Sequence, residues 1–133
     1  MRVNRLDHVN IVTHDLPGTA EFYADLLGLE ARDGPPPSRR DDVIWMYDDA
    51  GRPILHLNRV GVFRPLDRDS KPEPTSGAVH HVALRCEGHD EMVARLEARG
   101  LEHAQNDVRS INLKQIFVVD PNGVMLELNF FGG

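Results

Sequence analysis

The sequence contains a single cysteine, Cys86, and no long apolar run. One cysteine excludes an intramolecular disulfide and a zinc site built from several thiolates, and we expect Cys86 to be a small buried hydrophobe. No apolar segment is long enough to span a bilayer, and the first residues lack the apolar region of a secretory signal. We therefore expect a cytoplasmic protein with no membrane partner.

The chain also lacks an excess of basic residues. It has 15 Lys and Arg against 21 Asp and Glu, which gives a formal net charge of −6. Proteins that bind nucleic acids usually carry a basic face, so no nucleic-acid partner is expected. The 133 residues are 41% hydrophobic and 27% charged, which is ordinary for a globular chain and large enough for one domain over residues 1–133.

What the sequence does contain is an internal repeat. Residues 6–11 (LDHVNI) are echoed by residues 79–84 (VHHVAL), and residues 54–58 (ILHLN) are echoed by residues 125–129 (MLELN). An echo of this kind indicates one structural unit written twice. The two copies are expected to be module one (about 1–62) and module two (about 78–133), joined by a polar, proline-rich linker (about 63–77).

Both copies predict the same order of elements, β-α-β-β-β, which places the chain in the α+β class. Asp15 and Asp90 are expected to cap the two helices, and Gly28 and Gly100 to end them. Three consecutive prolines make residues 33–42 a predicted loop. Strands are predicted at residues 5–13, 43–48, 53–59, 79–86, 102–108, 113–119 and 124–130.

Strand alternation places four ionisable residues on one face. Side chains in a strand point alternately to opposite faces, so the leucines beside these residues point to the other face, against the helices. A slip of one residue would drive the ionisable groups under the helices. The four residues are His8, His56, His81 and Glu127.

Three imidazoles and a carboxylate suit a divalent metal, with Fe, Ni, Mn, Zn and Co all compatible. Without His56, the remaining two histidines and one carboxylate form the ligand set of non-haem iron enzymes. A lone histidine on a strand is more often structural, and only the repeat favours the metal. His56 itself is open between a ligand and a nearby polar group.

Other residues share the ionisable face by the same count. They are candidates for substrate binding, or for hydrogen bonds within the sheet, and Arg85 could bind a carboxylate. This set is Asn10, Asn58, Arg85 and Asn129. Trp45, Tyr47 and Phe117 could line the same region or fill a core, whereas His80 falls on the opposite face of its strand.

These motifs resemble those of the vicinal oxygen chelate superfamily, which includes glyoxalase I, methylmalonyl-CoA epimerase, fosfomycin-modifying transferases, bleomycin-resistance proteins and extradiol dioxygenases. The resemblance covers essentially the whole chain. It rests on residues 6–9 (LDHV), 20–29 (AEFYADLLGL), 80–84 (HHVAL) and 120–128 (DPNGVMLEL). It implies two tandem β-α-β-β-β modules that form a curved mixed sheet around a metal cleft, with the helices on the outer face.

The resemblance also implies one divalent metal ion held by His8, His56, His81 and Glu127. The implied function is a lyase or isomerase acting on a small molecule that chelates the metal through adjacent oxygens, with Glu127 or His56 as the catalytic base. Proteins similar to glyoxalase I usually carry Glu or Gln at the His56 position. The alternatives are an iron(II) extradiol-type dioxygenase and a non-catalytic ligand-binding protein similar to the bleomycin-resistance proteins. A homodimer is expected by analogy, with each site built from one chain or from two.

Overall fold

The computed structural model describes residues 1–62, 66 and 68–132, and the chain divides into two compact units, Met1–Lys71 and Pro72–Gly133. Part of the predicted linker, residues 63–65 and 67, lies outside the described residues. Within the described residues, no helix is long and apolar enough to cross a membrane.

The first unit is a four-stranded sheet with one helix. Strand β1 pairs in parallel with β4, β4 pairs antiparallel with β3, and β3 with β2, so the order is β1-β4-β3-β2. The helix packs against β3 and β4. The elements are β1 (Val9–Thr13), α1 (Leu16–Leu27), β2 (Glu30–Asp33), β3 (Val43–Tyr47) and β4 (Pro53–Arg59).

The second unit repeats this arrangement, with the strand order β5-β8-β7-β6 and a parallel pair of β5 and β8. Its elements are β5 (Val82–Cys86), α2 (His89–Ala98), β6 (Ala104–Val108), a 3-10 turn (Arg109–Ile111), β7 (Leu113–Val119) and β8 (Met125–Phe131). The two units confirm the predicted α+β fold of two β-α-β-β-β modules.

The registers of the two parallel pairs match across the repeat. Asn10 of β1 lies opposite His56 of β4, and Ala83 of β5 lies opposite Glu127 of β8. The leucines on either side of each ionisable residue are at most 1% exposed: Leu55, Leu57, Leu126 and Leu128. The alternation inferred from the sequence therefore holds, since the apolar face is buried in both sheets.

The predicted strand boundaries need correction at two places. Residues 5–8 and 79–81 were predicted as strand, but β1 begins at Val9 and β5 at Val82. His8 and His81 therefore each lie one residue before a strand. The predicted order β-α-β-β-β includes a strand after α1 but assigns no residues to it. That strand is β2, whose last residue Asp33 falls inside the predicted loop.

The helix termini confirm one predicted cap and overturn the other. Asp15 caps α1, because its Oδ1 accepts a hydrogen bond from Gly18 N at 3.0 Å, and Gly28 ends this helix with φ 72°. The prediction for Asp90 was wrong. Gly88 is the N-cap of α2 with no side-chain capping bond, and Asp90 lies in the first turn, where its Oδ1 contacts His89 Nδ1 at 3.0 Å.

This difference between the caps has a measurable consequence. Asp15→Ala is expected to lower the free energy of unfolding by about 1 kcal/mol, because it removes a capping hydrogen bond. Asp90→Ala should cost less, since it removes a charge near the positive end of the helix dipole but no capping hydrogen bond. Urea titrations at low and at about 1 M salt separate the two, because salt screens the charge–dipole interaction of both carboxylates and leaves only Asp15→Ala with the loss of a capping hydrogen bond. Equal losses that respond equally to salt would contradict these assignments.

Candidate metal-binding and catalytic site

A stack of three rings lies on the polar face of the first unit. The ring of His56 is sandwiched between His8, at a centroid distance of 3.6 Å and an interplanar angle of 13°, and Trp45, at 3.8 Å and 6°. Trp45 of β3 is the cross-strand neighbour of His56 on β4. With a ring on each of its faces, His56 has little room to rotate.

The Nε2 atom of His56 is buried and has no hydrogen-bond partner among the described residues. Burial, reinforced by the neighbouring His8, lowers the pKa of His56 to about 4. The ring is therefore neutral near pH 7. A buried polar atom without a partner is costly, and a neutral imidazole nitrogen with a free electron pair is a common metal ligand. This atom fits the predicted metal site.

Two hydrogen bonds lie beside this stack of rings. Asp7 Oδ1 lies 2.7 Å from His8 Nδ1, and this hydrogen bond holds the pKa of Asp7 below its usual value. Asn58 Nδ2 donates to Asn10 Oδ1 at 2.9 Å. Asn10 and Asn58 thus hydrogen-bond to each other within the sheet, and a substrate contact from either one stays a prediction.

In the second unit, Glu127 is held at one oxygen and faces a histidine with the other. Its Oε2 accepts a hydrogen bond from Asn129 Nδ2 at 2.9 Å, and its Oε1 lies 3.6 Å from His81 Nε2. The side chain of Glu127 is 15% exposed and that of His81 is 37% exposed. The carboxylate is therefore anchored yet accessible.

A chain of amides supports this carboxylate. Gln115 Nε2 donates to Asn129 Oδ1 at 3.1 Å, and Asn106 Nδ2 donates to Gln115 Oε1 at 2.9 Å. Sequence reasoning missed Gln115 and Asn106. The signal was present, because Gln115 is a polar residue in a largely apolar strand and pairs directly with Asn129.

Aromatic residues occupy equivalent places beside the two central residues. Phe117 of β7 is the cross-strand neighbour of Glu127, as Trp45 is of His56. Both aromatic side chains are half-buried on the polar faces, so they are distinct from the leucine core. Arg85 places its guanidinium 4.4 Å above the ring of Phe131, and a carboxylate contact from Arg85 stays a prediction.

The structure brings the predicted ligands together in pairs, His8 with His56 and His81 with Glu127. Within the described residues, no three His, Cys, Asp or Glu side chains form a group that could hold a metal ion. The full set of four therefore stays a prediction. Both pairs have suitable chemistry, because two imidazoles, or an imidazole and a carboxylate, match ions of intermediate hardness.

Cys86 is half-buried near the end of β5, and its Sγ contacts Leu84 O at 3.6 Å. Burial raises the pKa of this thiol to about 11. Because the thiolate is the nucleophile, alkylation by iodoacetamide at about pH 8 should be on the order of tenfold slower than in the urea-unfolded chain. Mass spectrometry follows the reaction without ambiguity, since the chain has no second thiol. Equal rates in the two states would contradict the inference that burial protects Cys86.

Taken unit by unit, the chain is a repeated β-α-β-β-β protein in which each sheet has one central ionisable residue, His56 or Glu127, on its polar face and leucines on its buried face. Residues 7–119 match the sequence profile of the Glyoxalase/Bleomycin resistance protein/Dioxygenase superfamily. The chain belongs to this superfamily, which confirms the resemblance drawn from its motifs.

Individual relatives agree with this assignment. The human mitochondrial methylmalonyl-CoA epimerase is 24% identical over 136 residues, a match that spans 95% of this chain and 73% of the relative. A glyoxalase/dioxygenase structure from Nostoc punctiforme has a TM-score of 0.73 at 21% identity, covering 97% of this chain and 92% of that one. The fosfomycin resistance protein FosX from Listeria monocytogenes has a TM-score of 0.68 at 16% identity, covering 98% and 96%. At these identities the structural matches establish the fold alone.

Proposed function

We propose that the protein is a metal-dependent isomerase that removes and returns a proton at the carbon beside a carbonyl group. Its substrate would be a small molecule with two adjacent oxygens that chelate the metal, such as a 2-methylacyl thioester that also carries a carboxylate beside its thioester carbonyl. The anchored carboxylate of Glu127 is the observation that carries this proposal. The similarity to methylmalonyl-CoA epimerase supports the isomerase class over the other activities of the superfamily.

The proposed ligands are His8, His56, His81 and Glu127. The buried, unpartnered Nε2 of His56 and the Glu127 oxygen that Asn129 does not hold support this ligand set for one divalent ion. When bound, a divalent ion of Fe, Ni, Mn, Zn or Co would polarise the substrate oxygens and stabilise the negative charge that develops on them.

We assign proton transfer to Glu127 and a holding role to His56. A general base must reach the proton it abstracts. Asn129 holds Oε2 of Glu127, so Oε1 is the oxygen that could take the proton. The His56 ring is clamped between His8 and Trp45 and is suited to keeping a fixed position. Trp45 and Phe117 offer apolar surface beside these groups, where an acyl chain could pack and water would be excluded.

Exchange of the substrate's α-proton in deuterated water tests the isomerase assignment. The chain is loaded separately with Fe, Ni, Mn, Zn and Co, and a 2-methylacyl-CoA thioester that carries a carboxylate on its acyl part and the methylglyoxal hemithioacetal are followed by proton NMR. We expect metal-dependent exchange that EDTA abolishes. Oxygen uptake with catechols and iron(II), in the absence of exchange, would instead identify a dioxygenase. Metal-free binding of a ligand that stays unchanged would identify a binding protein.

We further propose that the protein is a homodimer, as its superfamily membership suggests. A mixing experiment decides whether the four ligands come from one chain or from two. The double variants His8→Ala/His56→Ala and His81→Ala/Glu127→Ala should each fail to bind metal alone. If the ligands come from two chains, the mixture regains binding because a mixed dimer holds one intact set. If the four ligands come from one chain, the mixture still fails to bind metal.

A further inference from the structure

The residues that precede the two strand-entry histidines make the same contact in both units. Asp7 and His80 occupy equivalent places in the repeated motifs LDHV and VHHV. Asp7 Oδ1 lies 2.7 Å from His8 Nδ1, and His80 Nδ1 lies 2.9 Å from His81 Nδ1. Two chemically unlike side chains therefore reach the same ring atom of the following histidine.

This contact determines which ring nitrogen carries the proton. A neutral imidazole has one N–H donor and one nitrogen with a free electron pair. Ionised Asp7 can only accept, so His8 Nδ1 donates to it and the electron pair of His8 lies on Nε2. A carboxylate bonded to the far nitrogen in this way orients a metal-binding histidine and raises its basicity.

The second unit can reach the same state with a neutral acceptor. His81 Nε2 lies 3.6 Å from Glu127 Oε1, which is too long for an N–H donor to be satisfied there. His81 Nδ1 can instead donate to His80 Nδ1, which leaves the electron pair of His81 on Nε2. The expectation that His80 points to the opposite face fails, because residues 80 and 81 precede β5 and strand alternation does not govern them.

We infer that Asp7 and His80 are positioning residues that fix the tautomers of His8 and His81, so that Nε2 of each is available to a metal ion. The metal part of this inference rests on the proposed function, whereas the tautomer part can be tested in the metal-free protein. The carboxylate of Asp7 should make His8 a stronger metal ligand than the imidazole of His80 makes His81.

Long-range proton–nitrogen NMR of histidine-labelled, metal-free protein at about pH 8 reports directly which ring nitrogen of each histidine carries the proton. We expect His8 and His81 to carry the proton on Nδ1 in the wild-type chain. Asp7→Ala should change only His8, and His80→Ala only His81. Asp7→Asn should preserve the His8 tautomer, since its side-chain oxygen still accepts. Unchanged tautomers in both alanine variants would overturn the inference.

Zinc affinity, measured by competition with a chelating dye, supplies the second readout. Asp7→Ala and His80→Ala should each weaken zinc binding about 10–100-fold. Asp90→Ala is the matched control, because it removes the same kind of contact from His89, which is outside the proposed ligand set. An affinity unchanged in the two test variants, or reduced equally in the control, contradicts the inference. If His8→Ala and His81→Ala leave zinc binding intact, the proposed metal site fails, and the tautomers alone then decide the role of Asp7 and His80.

Discussion

Replacing Glu127 with glutamine is expected to lower α-proton exchange by about 10²–10⁴-fold, the usual loss when a general base is removed. Glutamine keeps the size of the side chain and an oxygen that can accept from Asn129, so the sheet should remain intact. Exchange is measured by proton NMR, and the metal content of the same sample is measured in parallel. The parallel measurement separates a lost base from a lost metal ligand.

Asn129→Ala is the matched control for this substitution. It removes the donor to Glu127 Oε2 but leaves the carboxylate itself in place. We expect a smaller loss of exchange, on the order of tenfold, because a mispositioned group still reacts in part of its conformations. A Glu127→Gln variant that retains exchange within about threefold of the wild type would remove Glu127 from proton transfer.

Replacing Leu128 with alanine is expected to lower the free energy of unfolding by about 2–5 kcal/mol. Leu128 is fully buried beside Glu127 on the opposite face of β8, so the truncation leaves a cavity beneath the sheet. Urea-induced unfolding followed by circular dichroism measures the loss. Leu57→Ala should be comparably costly, because Leu57 holds the equivalent place in the first unit and is equally buried.

Val119→Ala provides the comparison, since Val119 also lies on a strand but is 47% exposed. Its cost should stay within about 0.5 kcal/mol. If the exposed and buried substitutions cost the same, the division of each sheet into a polar face and a leucine face would be contradicted.

The parts of the fold that could be predicted are those that depend on local sequence patterns. Alternating leucines revealed β4 and β8, and Asp15 with Gly28 defined the ends of α1. The edge strand β2 (Glu30–Asp33) gave no such signal, because its residues are mostly polar and exposed and its strand conformation depends on pairing with β3. The prediction for Asp90 was wrong because a carboxylate is a preferred N-cap in sequence, whereas the N-cap of α2 is Gly88 with φ 92°.

The candidate site was predictable to a similar extent. The repeat identified the positions of His56 and Glu127, and strand alternation put them on the polar faces. Neither could show that Trp45 stacks on His56, because that contact depends on the cross-strand register of β3 and β4, which shifts at Met46 and Tyr47. The contact between His80 and His81 could not be predicted either, because both residues precede β5 and strand alternation does not apply to them.

Metal content tests the proposed site most directly. Purified chain is dialysed to equilibrium with Fe(II), Ni, Mn, Zn or Co and analysed for bound metal. We predict about one ion per site in the wild type, and loss of most of it in each of His8→Ala, His81→Ala and Glu127→Ala. A wild-type chain that binds none of these ions, or three variants that bind as much metal as the wild type, would contradict the proposed metal site.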